Sequence, residues 1–452
     1  TPVSAIKTQS CEFLCYASCY QQSFIGETLQ PEVKNFHAKL ATRIPFYYGW
    51  TIVASSFMAM FVSNGMAFWG LQVFVSPIQD DTGWARASIM GALTIRWLIA
   101  GFGGLLTGFL LDRRHGPLIL YTVGVIVDGL SMASLYWVNT EAQFVLLFGV
   151  VGGIGSIGSG RLIASALVPK WFISRRGIAM GVAATGSGLS AALISPIANE
   201  IVTSVGWREG WVWLGALTIL ILLPFSLFIR RAPEDIGLLP DGAKFVKEIN
   251  DISPVKTEHS VSVSTAMKSP ALWLLTISMS VGLFSMSTNA SSMVPFFKSM
   301  GFSASVAASG LSVYGVFSIA SRFLWGYIAD RFSVKLAIIF QSVLTSLGIV
   351  FYLSIQSQTT LYLAAAYHGL MLGGFVVLNP LIWPAYFGRL HIGAISGITQ
   401  FLTTFALAVG PIFAGFVYDA TDAYTWAYRT LVVSWIITAL VIILVRPVNV
   451  TR

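Results

Sequence analysis

The stretch GFLLDRRHG, Gly108–Gly116, matches a second stretch, GYIADRFSV, at Gly326–Val334. Each begins with a glycine and carries an Asp-Arg pair four residues later, so Asp112 and Asp330 lie 218 positions apart. Both stretches come at the end of a long apolar run. A recurrence of this kind indicates that the second half of the chain repeats the organisation of the first.

Two further pairs of residues recur at nearly the same offset. Gly177 in RRGIAMG corresponds to Gly393 in HIGAISG, 216 positions later, and Pro196 corresponds to Pro411, 215 positions later. A long polar connection separates the two repeats, and such a connection is a natural domain boundary. We therefore predict five segments: a tail (1–45), an N-terminal half (46–229), a linker (230–269), a C-terminal half (270–446) and a short tail (447–452).

The composition indicates a protein in contact with lipid. Of the 452 residues, 55% are hydrophobic and only 10% are charged, whereas soluble domains average about 25% charged residues. Twelve apolar stretches are long enough to cross a bilayer as helices: roughly 47–78, 88–111, 117–138, 142–168, 178–203, 209–229, 270–297, 304–328, 334–355, 359–384, 392–417 and 427–446. Their continuous apolar character favours helices over a β-barrel. We predict an all-α membrane protein with twelve transmembrane helices in two six-helix halves.

The basic residues predict the orientation of these helices. Of the 27 Lys and Arg, 20 fall in the tails and in the loops after even-numbered spans, four fall in the opposite loops, and three lie inside spans. The positive-inside rule then places both termini in the cytoplasm. The formal charge of +8 is thereby explained by topology, so a nucleic-acid partner is not expected. The prediction is an integral protein of the plasma (inner) membrane.

The three cysteines, Cys11, Cys15 and Cys19, lie four residues apart in the N-terminal tail. This spacing would place them on one stripe of a helix. Metal binding and lipidation are alternatives, but CxxxCxxxC is not a usual zinc spacing and no histidine lies nearby. We favour an amphipathic tail, predict no metal site and no cofactor, and leave the role of the cysteines open.

The duplicated GxxxDR motif resembles the signature of the major facilitator superfamily. Three further stretches are similar to the branch that holds monocarboxylate transporters and oxalate/formate exchangers: FYYGW (46–50), WFISRRGIAMGVAATGSG (171–188) and RRAPEDIGLLPDG (230–242). The resemblance implies two six-helix halves around a central cavity that opens alternately to either side of the membrane.

The repeated motif also predicts a conformational latch. Asp112 and Asp330 end spans two and eight, where a carboxylate can meet the positive N-terminus of a neighbouring helix and a nearby arginine. The resemblance implies that Asp112, Arg113, Asp330 and Arg331 hold the outward-facing state. The alternative is that these residues are solvated charges that only set the topology.

Three arginines, Arg96, Arg161 and Arg322, lie inside apolar spans, where an unpaired charge is costly. The resemblance aligns Arg322 with an arginine that pairs with the substrate carboxylate, and a guanidinium fork suits a carboxylate. Satisfaction of Arg322 by backbone carbonyls, or snorkelling to the interface, is the alternative. Arg96 and Arg161 either contact the ligand or brace helices. Three cations against one clear acid, Asp128, favour an anionic substrate.

Other polar or aromatic residues are candidates because they fall in spans that line the cavity in this fold. Asn64, Phe68, Asn289 and Gln400 can contact a substrate or join two helices. His368 is a candidate for both substrate binding and proton coupling, since imidazole titrates near neutral pH. The alternative is a hydrogen-bonded packing residue.

Asp128 is a second candidate for proton coupling, and pairing with another helix is its alternative. The chain departs from the resembling branch at two positions that bear on coupling. Animal monocarboxylate transporters carry an aspartate and a lysine where this chain has Ser318 and, approximately, Phe68. A direct transfer of their proton-coupling mechanism is therefore weakened.

These observations favour a secondary active transporter of a small organic anion, a monocarboxylate above all. Either proton symport or anion exchange fits the sequence. An exporter of larger amphipathic or drug-like compounds is the alternative, because aromatic residues make up 13% of the chain. An enzyme is not expected, since the sequence contains neither HExxH nor GxSxG.

Overall fold

The structure is a computed structural model, and it describes residues 43–242 and 260–446. Within these two ranges the chain is helical and contains no β-strand. The predicted all-α membrane fold is thereby confirmed. The tail with Cys11, Cys15 and Cys19 lies outside the described residues.

Eleven described helical segments are long and apolar enough to cross a membrane. The fifth, Arg176–Ser226, has 51 residues, which would extend about 76 Å at 1.5 Å per residue, more than twice the thickness of a bilayer core. Gly206 interrupts it with φ 85° and ψ 171°, a backbone conformation open essentially to glycine alone. We therefore divide the segment there into two membrane helices.

This division gives twelve membrane helices, which we label in chain order. They are α1 Gly49–Thr82, α2 Arg86–Asp112, α3 Gly116–Trp137, α4 Glu141–Trp171, α5 176–205, α6 207–226, α7 Pro270–Ser299, α8 Ala304–Arg331, α9 Val334–Leu353, α10 Gln358–Phe387, α11 Ile392–Thr421 and α12 Thr425–Leu444.

Two of these helices are irregular in the N-terminal half. In α1, residues Gly65–Gly70 form a π-helical turn. In α4, a π-helical stretch at Val145–Val151 is followed by a break at Gly160, whose φ of −101° and ψ of −160° are extended. The second segment of α4, Arg161–Trp171, begins directly after this break. The two irregular helices contact each other inside the N-terminal half, where the hydroxyls of Ser63 on α1 and Ser159 on α4 are 3.5 Å apart.

The two halves meet at the end of the bundle that carries Asp112 and Asp330, which we call the motif end. There α2 packs on α11 and α5 packs on α8 at glycines that leave no room for side chains. A Cβ atom on Gly397 would lie 2.2 Å from Gly104 O, and one on Gly177 would lie 2.1 Å from Gly326 O. Such close backbone approach explains why small residues recur at this spacing.

The described ends of the linker lie against the same end of the bundle. Asp241 accepts hydrogen bonds from the backbone amides of Ile173 (2.9 Å) and Ser174 (2.8 Å), between α4 and α5. Tyr47 donates to Leu239 O at 3.0 Å, and burial raises the pKa of its hydroxyl. Val261, at the other end of the linker, donates to Phe387 O at 2.9 Å. The linker therefore contacts both halves.

Candidate functional site

The first element of the candidate site is the pair of motif aspartates. The Asp112 carboxylate accepts from the backbone amides of Gly393 and Ala394, both at 3.0 Å, at the start of α11. It also accepts from Lys170 Nζ at 2.7 Å. A carboxylate at a helix N-terminus is stabilised by the unpaired amides and by the helix dipole. Because α2 and α11 belong to different halves, this contact holds the halves together.

Asp330 makes the corresponding contact between α8 and α5. Its carboxylate accepts from the backbone amides of Gly177 at 2.5 Å and Ile178 at 2.9 Å. The two contacts therefore follow the internal duplication, with each half supplying one aspartate and one helix N-terminus. The interaction proposed from the sequence, a carboxylate at a neighbouring helix N-terminus, matches this geometry.

The arginines of the motif lie elsewhere. The Arg113 guanidinium lies over the ring of Phe109 at 5.3 Å, and that of Arg331 lies over the ring of Tyr327 at 5.5 Å. Each therefore stacks on an aromatic residue four positions earlier in the chain, and neither pairs with a motif aspartate within the described ranges. The cation that pairs with Asp112 is Lys170, one of the basic residues from which the topology is predicted.

A cavity of about 60 Å³ lies between the second segment of α4 and helices α7, α10 and α11 of the other half. Its polar lining consists of one arginine, two amides, four hydroxyl-bearing residues and one indole: Arg161, Asn379, Gln400, Ser165, Ser396, Thr399, Thr403 and Trp383. Apolar atoms of Leu283, Met286, Phe375, Val376 and Pro380 complete it. Among the described residues, none that lines the cavity is acidic.

Arg161 is the cation of this cavity. Its side chain is exposed and lines the cavity. Among the described residues it has neither a hydrogen bond nor an ion pair. The break at Gly160 also leaves the first amides of the Arg161–Trp171 segment without intrahelical partners, and such amides favour anions. The cation and the helix N-terminus point to an anionic ligand.

Two uncharged groups on the other side of the cavity lack partners in the described part of the chain. Asn379 Nδ2 and Ser396 Oγ are both shielded from solvent and have no hydrogen-bond partner. Buried polar atoms are normally paired, so these atoms fit a ligand that supplies the missing hydrogen bonds. Gln400, a residue singled out from the sequence, lines the same cavity.

Arg322 lies across the interface between the halves. Its Nη1 donates to Ala184 O and to Ser187 Oγ (3.2 Å), both on α5, while its Nε has no partner among the described residues. The side chain is 6% exposed. In this conformation Arg322 is therefore bonded to a backbone carbonyl, the arrangement given above as the alternative to substrate binding. Asn64 donates to Ser187 O at 3.3 Å, so it joins α1 to α5 close to Arg322.

Arg96 and Asp128 form an ion pair inside the N-terminal half, away from the cavity. Arg96 Nη2 donates to Asp128 Oδ1, and Arg96 Nη1 donates to Phe148 O at 3.1 Å. Both side chains are buried, at 1% and 0% exposure. In this conformation neither residue lines the cavity, and the ion pair joins α2 to α3. Substrate binding by Arg96 and proton coupling by Asp128 stay predictions.

His368, Asn289 and Phe68 also lie outside the cavity lining. His368 is fully buried in the C-terminal half, with its ring 4.8 Å from that of Tyr352, and neither ring nitrogen has a partner in the described ranges. Asn289 is 1% exposed on α7. The ring of Phe68 packs on Trp97 at 5.6 Å in the N-terminal half. Like the ring nitrogens of His368, the side-chain amide atoms of Asn289 have no hydrogen-bond partner among the described residues.

Two features of the site were missed from the sequence. Lys170 lies just beyond the predicted span 142–168 and was not predicted to pair with Asp112; its position at the end of an apolar run, in VPKW, is the signal that could have identified it. The break of α4 at Gly160 was not predicted, because glycine-rich stretches occur in regular membrane helices as well.

Comparison with known proteins agrees with the fold and the duplicated motif. The model of the Major Facilitator Superfamily matches residues 57–320 and 284–452, and the chain belongs to this family. Among its relatives, monocarboxylate transporter 12 of Mus musculus is 23% identical over 431 residues, which is 89% of this chain and 86% of the relative. The oxalate:formate antiporter of Oxalobacter formigenes is 25% identical over 285 residues, which is 62% of this chain and 63% of the relative.

Solved structures share the fold at low sequence identity. The proton:xylose symporter XylE superposes with a TM-score of 0.66 at 14% identity, covering 87% of this chain and 94% of the other. The transporter FucP in its outward conformation gives 0.60 at 13% identity, covering 87% and 98%. The chain is therefore a transporter of the major facilitator fold, and its cargo has to be argued from its own site.

Proposed function

We propose that this protein is a secondary active transporter that moves a small organic anion, a monocarboxylate above all, by alternating access between its two halves. The observation that carries the proposal is the Arg161 guanidinium, which is accessible from a cavity between the halves and has no carboxylate partner among the described residues. A cation inside a membrane span normally faces a partner or an aqueous path. A substrate carboxylate supplies the missing partner.

The size of the cavity favours a small cargo. One water-sized sphere needs about 10–15 Å³ on this scale, so about 60 Å³ accommodates a few water molecules or an organic anion of few heavy atoms. A cationic amphipathic or drug-like compound would meet Arg161 with no acidic residue in the described lining. The alternative function therefore has less support, and the site offers no arrangement that favours an enzyme.

The relatives support the class of cargo. Two of them are named for monocarboxylates and for oxalate and formate, which are all carboxylates. The site does not discriminate between proton symport and anion exchange, because the coupling candidates His368 and Asp128 lie outside the cavity lining. Arg322 is proposed as a second cation for the substrate, which it reaches when the halves separate at the motif end and its bonds to α5 break.

The orientation in the membrane is part of this proposal. If the motif end is cytoplasmic, as the distribution of basic residues predicts, then the closed motif end corresponds to an outward-facing transporter in the plasma membrane. A cysteine at exposed Ser174, at the motif end, should then react with an impermeant thiol reagent only after the membrane is permeabilised. Labelling in intact cells would show that the motif end faces the outside of the cell, contrary to the proposal.

Uptake by proteoliposomes tests the function. Purified protein should accumulate radiolabelled lactate, pyruvate or oxalate against empty liposomes. Arg161→Gln should reduce uptake to near background, and Arg161→Lys should recover part of it, since an ammonium keeps the charge but lacks the planar fork. Arg429→Gln, at an exposed arginine that lies over the ring of Trp426, is the matched control. Equal uptake by Arg161→Gln and Arg429→Gln would refute the role of Arg161.

A further inference from the structure

We propose that the buried Arg96–Asp128 ion pair positions Arg161 in the cavity, by contacting α4 both in its π-helical stretch and at Ser159, next to the break at Gly160. The inference rests on the proposed function, in which Arg161 binds the anion. Arg96 and Asp128 would be positioning residues, since neither lines the cavity.

The Asp128 carboxylate uses both of its oxygens. Oδ1 accepts from Arg96, and Oδ2 accepts from Ser159 Oγ at 2.8 Å. All three residues are at most 1% exposed. A hydrogen bond to a charged acceptor in such an environment is stronger than one between neutral groups. Ser159 is therefore held to α3 by a strong, directional contact.

The same ion pair contacts α4 at a second level. At the end of the π-helical stretch, the amide of Gly152 donates to Leu147 O and Gly149 O and not to Phe148 O, the acceptor expected in an α-helix. Phe148 O accepts from Arg96 at 3.1 Å instead. Phe148 and Ser159 are 11 positions apart, which is about three helical turns, so they lie on one face of α4. The two contacts thus fix the rotation of the first segment of α4 about its axis and its position along that axis.

Two glycines allow α4 to approach the pair this closely. A Cβ atom on Gly152 would lie 2.1 Å from Arg96 Nη1, and one on Gly155 would lie 2.7 Å from Asp128 Cα. Larger residues at either position would push α4 away from the pair. The glycine-rich sequence of α4 is therefore matched to Arg96 and Asp128 and is not only a general packing surface.

The position of Ser159 decides the direction of Arg161. Ser159 ends the first segment of α4 and Arg161 begins the second, so only Gly160 separates them. The extended backbone at Gly160 turns the second segment relative to the first. If the hydroxyl of Ser159 were not held by Asp128, the first segment could rotate and the guanidinium of Arg161 would leave the cavity. A general packing role for the ion pair does not require this contact.

Cysteine labelling tests the proposal directly. In a background with Cys11, Cys15 and Cys19 changed to Ser, the variant Arg161→Cys is treated with an anionic methanethiosulfonate reagent and the reaction rate is measured. Adding Ser159→Ala should lower this rate about tenfold, the effect of losing one hydrogen bond to a charged group. The control is Ser156→Ala, one turn earlier on α4, whose hydroxyl donates to Gly152 O of the same helix at 2.8 Å.

Transport provides the second measurement. In proteins that keep Arg161, Ser159→Ala should raise the KM for the anion about tenfold with little change in the maximal rate, while Ser156→Ala should change neither. Asp128→Asn should also raise the KM. If Asp128→Asn does not fold, Ser159→Ala alone decides the test. Rates of labelling for Ser159→Ala within twofold of Ser156→Ala would overturn the proposal. If Arg161→Gln still transports, the proposed function fails, but the labelling result still decides whether Ser159 positions residue 161.

Discussion

Asp330→Asn should shift the transporter towards states in which the motif end is open. In the closed state the Asp330 carboxylate accepts from two amides at the start of α5, at 2.5 and 2.9 Å. An asparagine keeps one acceptor, turns an NH₂ group towards the other amide and loses the charge. A charge-assisted hydrogen bond contributes about 1.5–3 kcal/mol, and the charge at the helix N-terminus adds about 0.3–1 kcal/mol.

The expected loss is therefore about 3 kcal/mol, or about 100-fold in the equilibrium between the closed and open motif end. Because Asp330 and the start of α5 lie in different halves, this energy acts only when the halves meet. The thermal stability of the C-terminal half should change little. Asp419→Asn, at an exposed residue near the opposite end of α11, is the control.

Asp112→Asn should behave differently, and the contrast sharpens the test. Asp112 is paired with Lys170 of its own half at 2.7 Å, and the Lys170 side chain is 3% exposed. Removing one partner of a buried pair costs about 3–5 kcal/mol because the other charge is left unpaired. We expect this variant to open the motif end and also to lower the melting temperature. A second change, Lys170→Met, should restore stability without restoring closure.

Spin-label distances provide the assay. Labels at Ser174 and Leu390, exposed residues on opposite halves of the motif end, report its opening by pulsed electron paramagnetic resonance in lipid nanodiscs. Asp330→Asn should add a longer-distance population that Asp419→Asn lacks. Distance distributions that are identical in the parent, Asp330→Asn and Asp419→Asn would refute the reasoning, because the carboxylate would then contribute nothing to closure.

Three other substitutions have defined outcomes. Gly160→Ala places a Cβ atom 2.5 Å from Ser156 O, so it should alter the break and reduce anion uptake at least tenfold, while uptake equal to the parent would show that the break is not needed. Gly206→Ala forces an alanine to φ 85°; a cost of about 1–3 kcal/mol should appear as a lower melting temperature, and an unchanged one would contradict the strain. Arg322→Gln removes the bonds to Ala184 O and Ser187 Oγ, so it should both lower uptake and lengthen the spin-label distance; an effect on neither measurement would exclude a role at the interface.

The organisation of the fold was accessible from the sequence because it depends on local composition and on repetition. Stretches of apolar residues must cross the bilayer as helices, since no water is present to satisfy backbone groups. The recurrence of GxxxDR, with two further pairs of residues at nearly the same offset, identified two equivalent halves and the two carboxylates that meet helix N-termini in the structure. Burial of a charge is costly, so Arg96, Arg161 and Arg322 were also identifiable as residues that need an explanation.

Which explanation applies to each arginine was decided only by the tertiary structure. All three stand in similar apolar surroundings in the sequence, yet Arg96 meets Asp128 on the next helix, Arg322 bonds to a carbonyl of the other half, and Arg161 faces a cavity. The partner of a buried charge depends on how helices are rotated and where they break. A single extended residue, Gly160, sets that direction for Arg161, and hydropathy along the chain carries no information about a backbone angle.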